Sequence, residues 1–300
     1  MNYSFMPKEN LEALAKKLGI GPYANKNAGS SGGKDPEEPK VNIKDDDDYF
    51  TFLNIPYASD KFGSVSLTKT LVDDQKKKNH NQWRDWSKSP ENKEVVPTVR
   101  MVYQIMRRLY ELRDNQELQE VRDACIALFR EDIAKNVPHT GTNITYGQNL
   151  EGTINHLQPN KTDLPINVDI PEFEIHKDND NWSYLILAKE QPESDLGNVE
   201  QIPEDAKPFL EALLGEGYEQ VGAVCQYIDS LTDTGNLREI RLWTPSQKAR
   251  NCKRAVVLGR NIYGFDVGCG DVIYDVRPAR GAVIVEQKKV PVEIKVNLND

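Results

Sequence analysis

The sequence predicts an α+β protein, on three observations. Two stretches between Val95 and Asn136 repeat apolar residues at helical spacing. From Thr140 the texture changes to short β-branched and aromatic runs parted by Pro, Asn and Gly. After Ile240 such runs follow one another with no helical pattern between them. Of the 300 residues, 38% are hydrophobic and 28% charged, which leaves enough apolar mass for a core in part of the chain.

Residues 1–94 are mostly polar. Leu11–Leu18 could make two helical turns, and Asn25–Lys40 reads as a flexible Gly/Ser/Pro/Lys/Glu connector. Asp45–Asp48 reads as a solvated turn, because the spacing of a calcium loop is missing. Tyr49–Ile55 is an aromatic strand or extended anchor, and Lys76–Lys93 is charged and expected at the surface. Residues 95–139 are expected to be a helical hairpin packed on the core. Val99, Val102, Ile105, Met106 and Leu109 line the first helix, and Val121, Cys125, Leu128 and Phe129 the second. Pro97 suits a helix start, and Arg113-Asp114-Asn115 suits the break.

Residues 140–300 form the expected third region. Its strands are Asn143–Tyr146, Ile166–Ile170, Trp182–Ala188, Ile240–Trp243, Arg254–Gly259, Ile273–Val276, Ala282–Glu286 and Val290–Val296. Helices are expected at Pro203–Leu214 and Val221–Ile228.

Composition and motifs exclude several function classes. A net charge of −9 argues against a nucleic-acid coat, which needs phosphate-neutralising cations. No apolar run is long enough to span a membrane, and Met1–Glu9 is too polar for a secretory signal. Location is therefore open: cytoplasmic by default, with surface display requiring another route. Cys125, Cys225, Cys252 and Cys269 are scattered, as suits a reducing compartment. Gly29-Ser30-Ser31-Gly32-Gly33 matches a nucleophile-elbow pattern but lacks the flanking strand and helix. His80, His139, His156 and His176 have no metal-ligand spacing, and His139 has no readable nucleophile partner. No glycine pattern fits a dinucleotide or phosphate loop. No enzyme, cofactor or metal is expected.

The unusual stretch is Arg254–Val285. Lys, Gln, Glu, Met and Trp supply 68 of the 300 residues, so about seven belong in a window of this length; none is there. Burial in strands accounts for missing Lys, Gln and Glu at Ala255–Leu258 and Ala282–Val285. It does not account for Arg260-Asn261, Tyr263-Gly264, Asp266 or Gly270-Asp271, which read as polar, turn-like and exposed. A genetic origin does: when adenines of AAC or AAT codons are randomised, the products never encode those five residues.

Three motifs carry a resemblance. Arg254–Gly259 looks like a framework strand entering a variable region, and Arg277-Pro278-Ala279-Arg280-Gly281-Ala282-Val283 like its close. Leu242-Trp243-Thr244-Pro245-Ser246 resembles the strand that precedes the core of such domains. The chain thus resembles the variable proteins of diversity-generating retroelements, in their archaeal branch. The resemblance implies a C-type-lectin-like fold at the C-terminal end, after a helical N-terminal part. It also implies a ligand-binding surface that recognises an unknown protein or other macromolecule.

On this resemblance the framework is Trp243, Ala255, Val257, Leu258, Ile284 and Arg277–Gly281. The ligand-binding positions are Arg260, Asn261, Tyr263, Gly264, Phe265, Asp266, Gly268, Cys269, Gly270, Asp271, Val272, Tyr274 and Asp275. Aromatic anchors among adaptable polar groups are the mixture a binding face uses. Calcium-dependent sugar binding is not implied, since Gln158-Pro159-Asn160 and Gln191-Pro192-Glu193 are stray fragments. Two other classes stay open. One is an enzyme like the formylglycine-generating enzymes, which would need Cys252 and Cys269 as reactive thiols. The other is a scaffold that oligomerises through the Val99–Ile133 helices.

Overall fold

The computed structural model describes residues 43–58, 61–189, 202–229, 239–261 and 264–287. The expected elements at Leu11–Leu18, Asn25–Lys40 and Val290–Val296, and Gly29–Gly33, lie outside them. The described chain begins as β1 (Ile43–Asp45), β2 (Tyr49–Ala58) and β3 (Lys61–Leu71). The aromatic strand expected at Tyr49 is β2, and its Phe50 and Phe52 are buried in the core. Between β1 and β2, Asp46 Oδ1 accepts the N–H groups of Asp48 and Tyr49 at 3.2 and 2.8 Å. An aspartate carboxylate that bonds its own downstream backbone closes this turn.

The segment Lys76–Lys93 is not simply surface. It contains α1 (His80–Lys88), started by a capping box between Asn79 and Gln82. Trp83 on this helix is 0% exposed. Arg84 beside it is buried too, with Nη1 donating to Gly141 O at 2.7 Å, while Asp85 and Lys88 face solvent; composition averaged over the segment conceals that placement.

The two expected helices are α2 (Val99–Glu111) and α3 (Gln119–Glu131). Thr98, one residue after Pro97, caps α2 by accepting Met101 N–H at 3.2 Å. Nine of the thirteen residues of α2 are buried, because it packs against β2 on one side and two later helices on the other. Asn115 Oδ1 accepts from Glu117 and Leu118 N–H and starts the turn into α3. A π-helical turn, Asp132–Asn136, follows α3 and ends at Val137, whose φ is +42°. A β-branched residue rarely takes that conformation. The turn carries Asp132 into a buried ion pair with Arg280, whose Nη2 lies 2.8 Å from Asp132 Oδ1.

The remaining elements are β4 (His139–Tyr146), β5 (Glu151–Leu157), β6 (Asp163–Asp169), β7 (Glu174–Ile175), β8 (Trp182–Lys189), α4 (Lys207–Leu214), α5 (Val221–Asp229), β9 (Glu239–Pro245), β10 (Cys252–Asn261), β11 (Gly264–Val272) and β12 (Arg280–Gln287). Among the described residues they make two sheets. The smaller has the order β1-β2-β3-β12, and the larger β6-β5-β4-β10-β11-β9-β8-β7. Among the described residues β9 and β11 pair in parallel, and the other strand ladders are antiparallel. The molecule is therefore a mixed α+β fold with helices α2, α4 and α5 joined to the sheets by one core.

Two expectations are corrected. Ile273–Val276 is a turn rather than a strand, closed by Asp275 N–H donating to Val272 O at 3.0 Å. Of the polar residues read as turn-like, Arg260 and Asn261 end β10, and Gly264, Asp266, Gly270 and Asp271 lie in strand β11, whose backbone is satisfied by antiparallel and parallel neighbours on its two edges. Residue 94 also marks no boundary in the fold: β12 pairs with β3 from Arg280↔Leu71 to Gln287↔Phe62, and all described residues belong to one compact unit, Val41–Asp300.

Candidate functional site

The region read from the sequence as a binding face divides into three environments. On β11, side chains alternate between the two sheet faces, as strand geometry requires. Phe265, Val267 and Cys269 face the core at 0%, 1% and 0% exposure. Asp266, Gly268, Gly270 and Val272 face the other way. Phe265 and Cys269 therefore cannot touch a ligand, a correction that follows from the two-residue period alone.

The outward set is itself constrained. The parallel register places Asp266 beside Arg241 and Gly268 beside Trp243. Trp243 Nε1–H donates to Asp266 Oδ1 at 2.8 Å. Trp243, Tyr184 and His176 cluster with ring centroids 5.2–6.3 Å apart, and the Arg241 guanidinium lies 4.3 Å from the Tyr184 ring centre while pairing with Glu239. Asp266 is 8% exposed, not the exposed turn residue expected. Burial pushes its carboxyl up to about 7, against the lowering effects of the Trp243 bond and Arg241. At Gly270 a Cβ would fall 2.0 Å from Trp182 Cζ3, so no other side chain fits under that ring. Gly268 is freer: a Cβ there meets only Val257, at 3.1 Å.

The third environment is the turn after β11. Val272, Tyr274 and Val276 are 38%, 70% and 58% exposed, a run of large apolar side chains within five residues. Asp275 is exposed too. The turn's main chain is nevertheless held from below. His80 N–H donates to Ile273 O at 3.0 Å, and Lys78 and Arg277 exchange backbone bonds at 3.1 and 3.0 Å. Trp83 Nε1–H donates to Arg277 O at 2.7 Å. Arg277 closes a two-pronged ion pair on Asp271, at 2.8 and 3.1 Å, so Asp271 serves as an anchor.

Two buried histidines complete the support. His139 Nε2–H donates to the Asp275 carbonyl at 2.9 Å, while Asn143 Nδ2–H donates to His80 Nε2 at 3.2 Å. Those partners leave a proton on His80 Nδ1 and a bare lone pair on His139 Nδ1. Neither Nδ1 has a hydrogen-bond partner, although the rings meet edge-on with centroids 5.6 Å apart. Burial lowers both, His80 to about 2, so both are neutral. His139 thus positions the turn.

Of the other expected positions, Arg260 and Asn261 end β10 and Gly264 begins β11. Their side chains, and Tyr263, lie outside the described residues. Of the framework set, Ala255, Val257 and Leu258 are buried, whereas Ile284 and Trp243 are half-buried. The sequence reading missed Val276, His176, Tyr184 and Arg241. Val276 sits in the window but was assigned to a strand, and the other three reach the site only through pairing of distant strands.

Cys269 is fully buried, and burial pushes its thiol up, opposite to what a thiolate nucleophile requires. Among the described residues no three His, Cys, Asp or Glu side chains come together as a metal site. Among the described residues no helix is long and apolar enough to cross a membrane. Comparison with protein-family models, curated proteins and solved structures finds no match for the chain.

Proposed function

We propose that this chain is a binding protein that recognises a macromolecular partner through the Val272–Val276 turn, and that retroelement mutagenesis diversifies this surface within a C-type-lectin-like C-terminal module. The observation that carries the reading is the division of labour in the turn. Its backbone is fixed by bonds to Lys78, His80, Trp83 and His139, while Val272, Tyr274, Asp275 and Val276 face outward. Side chains that do not hold the fold can change without unfolding it, and a rigid loop loses little entropy on binding. Lys, Gln, Glu, Met and Trp are absent throughout Arg254–Val285, which includes this turn.

A scaffold role for the Val99–Ile133 helices has less support, because the apolar faces of α2 and α3 are spent inside the chain. The deciding test is genomic. A near-copy of the Arg254–Val285 coding segment should lie beside a reverse-transcriptase gene, differing only at adenines. The differences should fall at Gly268, Val272, Tyr274 and Asp275, and spare Phe265, Cys269 and Gly270. Absence of such a copy, or variation concentrated at the three spared positions, refutes the proposal.

A further inference from the structure

A second cleft lies away from the turn. It has a volume of about 270 Å³ and is walled by the end of β2, the β5–β6 loop and the end of β12. The apolar wall is Tyr57, Ala58, Pro159 and Leu164; the polar wall includes Lys61, Gln158 and Glu286. The β5–β6 loop is held from outside. Lys161 Nζ donates to Asn92 O at 2.8 Å, and Asp163 pairs with Arg84. Asp163 is thereby committed, whereas Lys61 and Glu286 carry no ion pair among the described residues.

Gln158 is 7% exposed, lines the cleft, and its side-chain Nε2 has no hydrogen-bond partner. Native structures seldom leave a buried amide N–H unpaired, and an orphan beside a cavity marks a missing partner. The terminal amide torsion is a broad two-fold well, so the group can turn to a guest. Among the described residues the cleft thus offers one unpaired ammonium, one unpaired carboxylate, one unpaired amide donor and an apolar wall. Its volume is that of about nine liquid waters at roughly 30 Å³ each, or a small organic molecule.

We infer that this cleft binds a small zwitterion, a free α-amino acid with a modest apolar side chain. Lys61 and Gln158 take its carboxylate, Glu286 takes its ammonium, and the Tyr57–Leu164 wall takes its side chain. The inference does not depend on the function proposed for the turn, and none of its residues is shared with that surface.

Calorimetric titration of the full chain with L-leucine, N-acetyl-leucine and leucinamide tests it. L-leucine should bind at least tenfold tighter than either blocked form. Glu286→Gln should remove the preference over N-acetyl-leucine, and Lys61→Met the preference over leucinamide, with circular dichroism unchanged. Both residues are exposed, so neither substitution removes a buried contact. No heat with L-leucine at 20 mM, or binding that ignores both substitutions, overturns the inference. Neither result would bear on Tyr274 or its turn.

Discussion

Lowering the pH from 7 to 5 should destabilise this protein through its buried histidines, and the size of the effect follows from their environments. His80 and His156 are 0% and 1% exposed. His156 donates from Nε2 to Ala212 O and accepts the Thr142 hydroxyl on Nδ1, both at 3.0 Å, so its neutral form is fully bonded. Burial lowers His80 from 6.5 to about 2 and His156 to about 3. The folded state therefore binds fewer protons than the unfolded chain below 6.5, and stability is lost as pH falls through that value. Each unit of pH costs about 1.4 kcal/mol per such group, so each histidine removes about 2 kcal/mol by pH 5. His139, lowered by the same cause, acts in the same direction. Asp266 opposes them: raised from 3.8 to about 7, it binds its proton in the folded state first and returns about 2 kcal/mol over the same interval. The net loss is about 2 kcal/mol or more. Urea unfolding followed by tryptophan fluorescence at pH 7, 6 and 5 measures it. His156→Gln should shrink the difference between pH 7 and pH 5 by about 2 kcal/mol, whatever its effect on absolute stability, and Asp266→Asn should enlarge it by a similar amount. A His156→Gln profile parallel to the parent's would show that the buried-neutral account is wrong.

Two further outcomes test the fold around the turn. Tyr274→Ala should change stability by no more than about 0.5 kcal/mol, whereas Phe265→Ala, nine residues earlier, should cost about 3–5 kcal/mol; thermal melts that rank them the other way would place the turn in the core. Arg280 joins Asp132, the Thr68 carbonyl at 3.2 Å and the Lys69 carbonyl at 2.8 Å, so Arg280→Ala leaves a buried carboxylate and should cost about 3–5 kcal/mol. Asp132→Asn with Arg280→Met should recover much of that loss in chemical denaturation, and failure to recover would mean that the ion pair is not what holds β12 to the π-helical turn.

By itself the sequence determined the local elements whose signals are local. Helices α2 and α3 are written in apolar spacing, the start of α2 in Pro97 and the break between them in Arg113-Asp114-Asn115, and strands β2, β8, β9 and β10 in β-branched and aromatic runs. The stretch lacking Lys, Gln, Glu, Met and Trp also drew attention to the segment that ends in the exposed turn. Tertiary structure decided which of its residues face out. The run of polar letters at Asp266, Gly270 and Asp271 looks exposed in one dimension, yet Trp243, Trp182 and Arg277 cover or bind them in three. Trp83 shows the same logic reversed: a charged segment carries one indole into the core because α1 presents it there. Pairing of β12 with β3 joins residues about two hundred positions apart, and no pattern within either strand names its partner. Strand pairing and burial are settled by the sum of contacts across the molecule, which is why composition could point to the surface while only packing could say which side chains compose it.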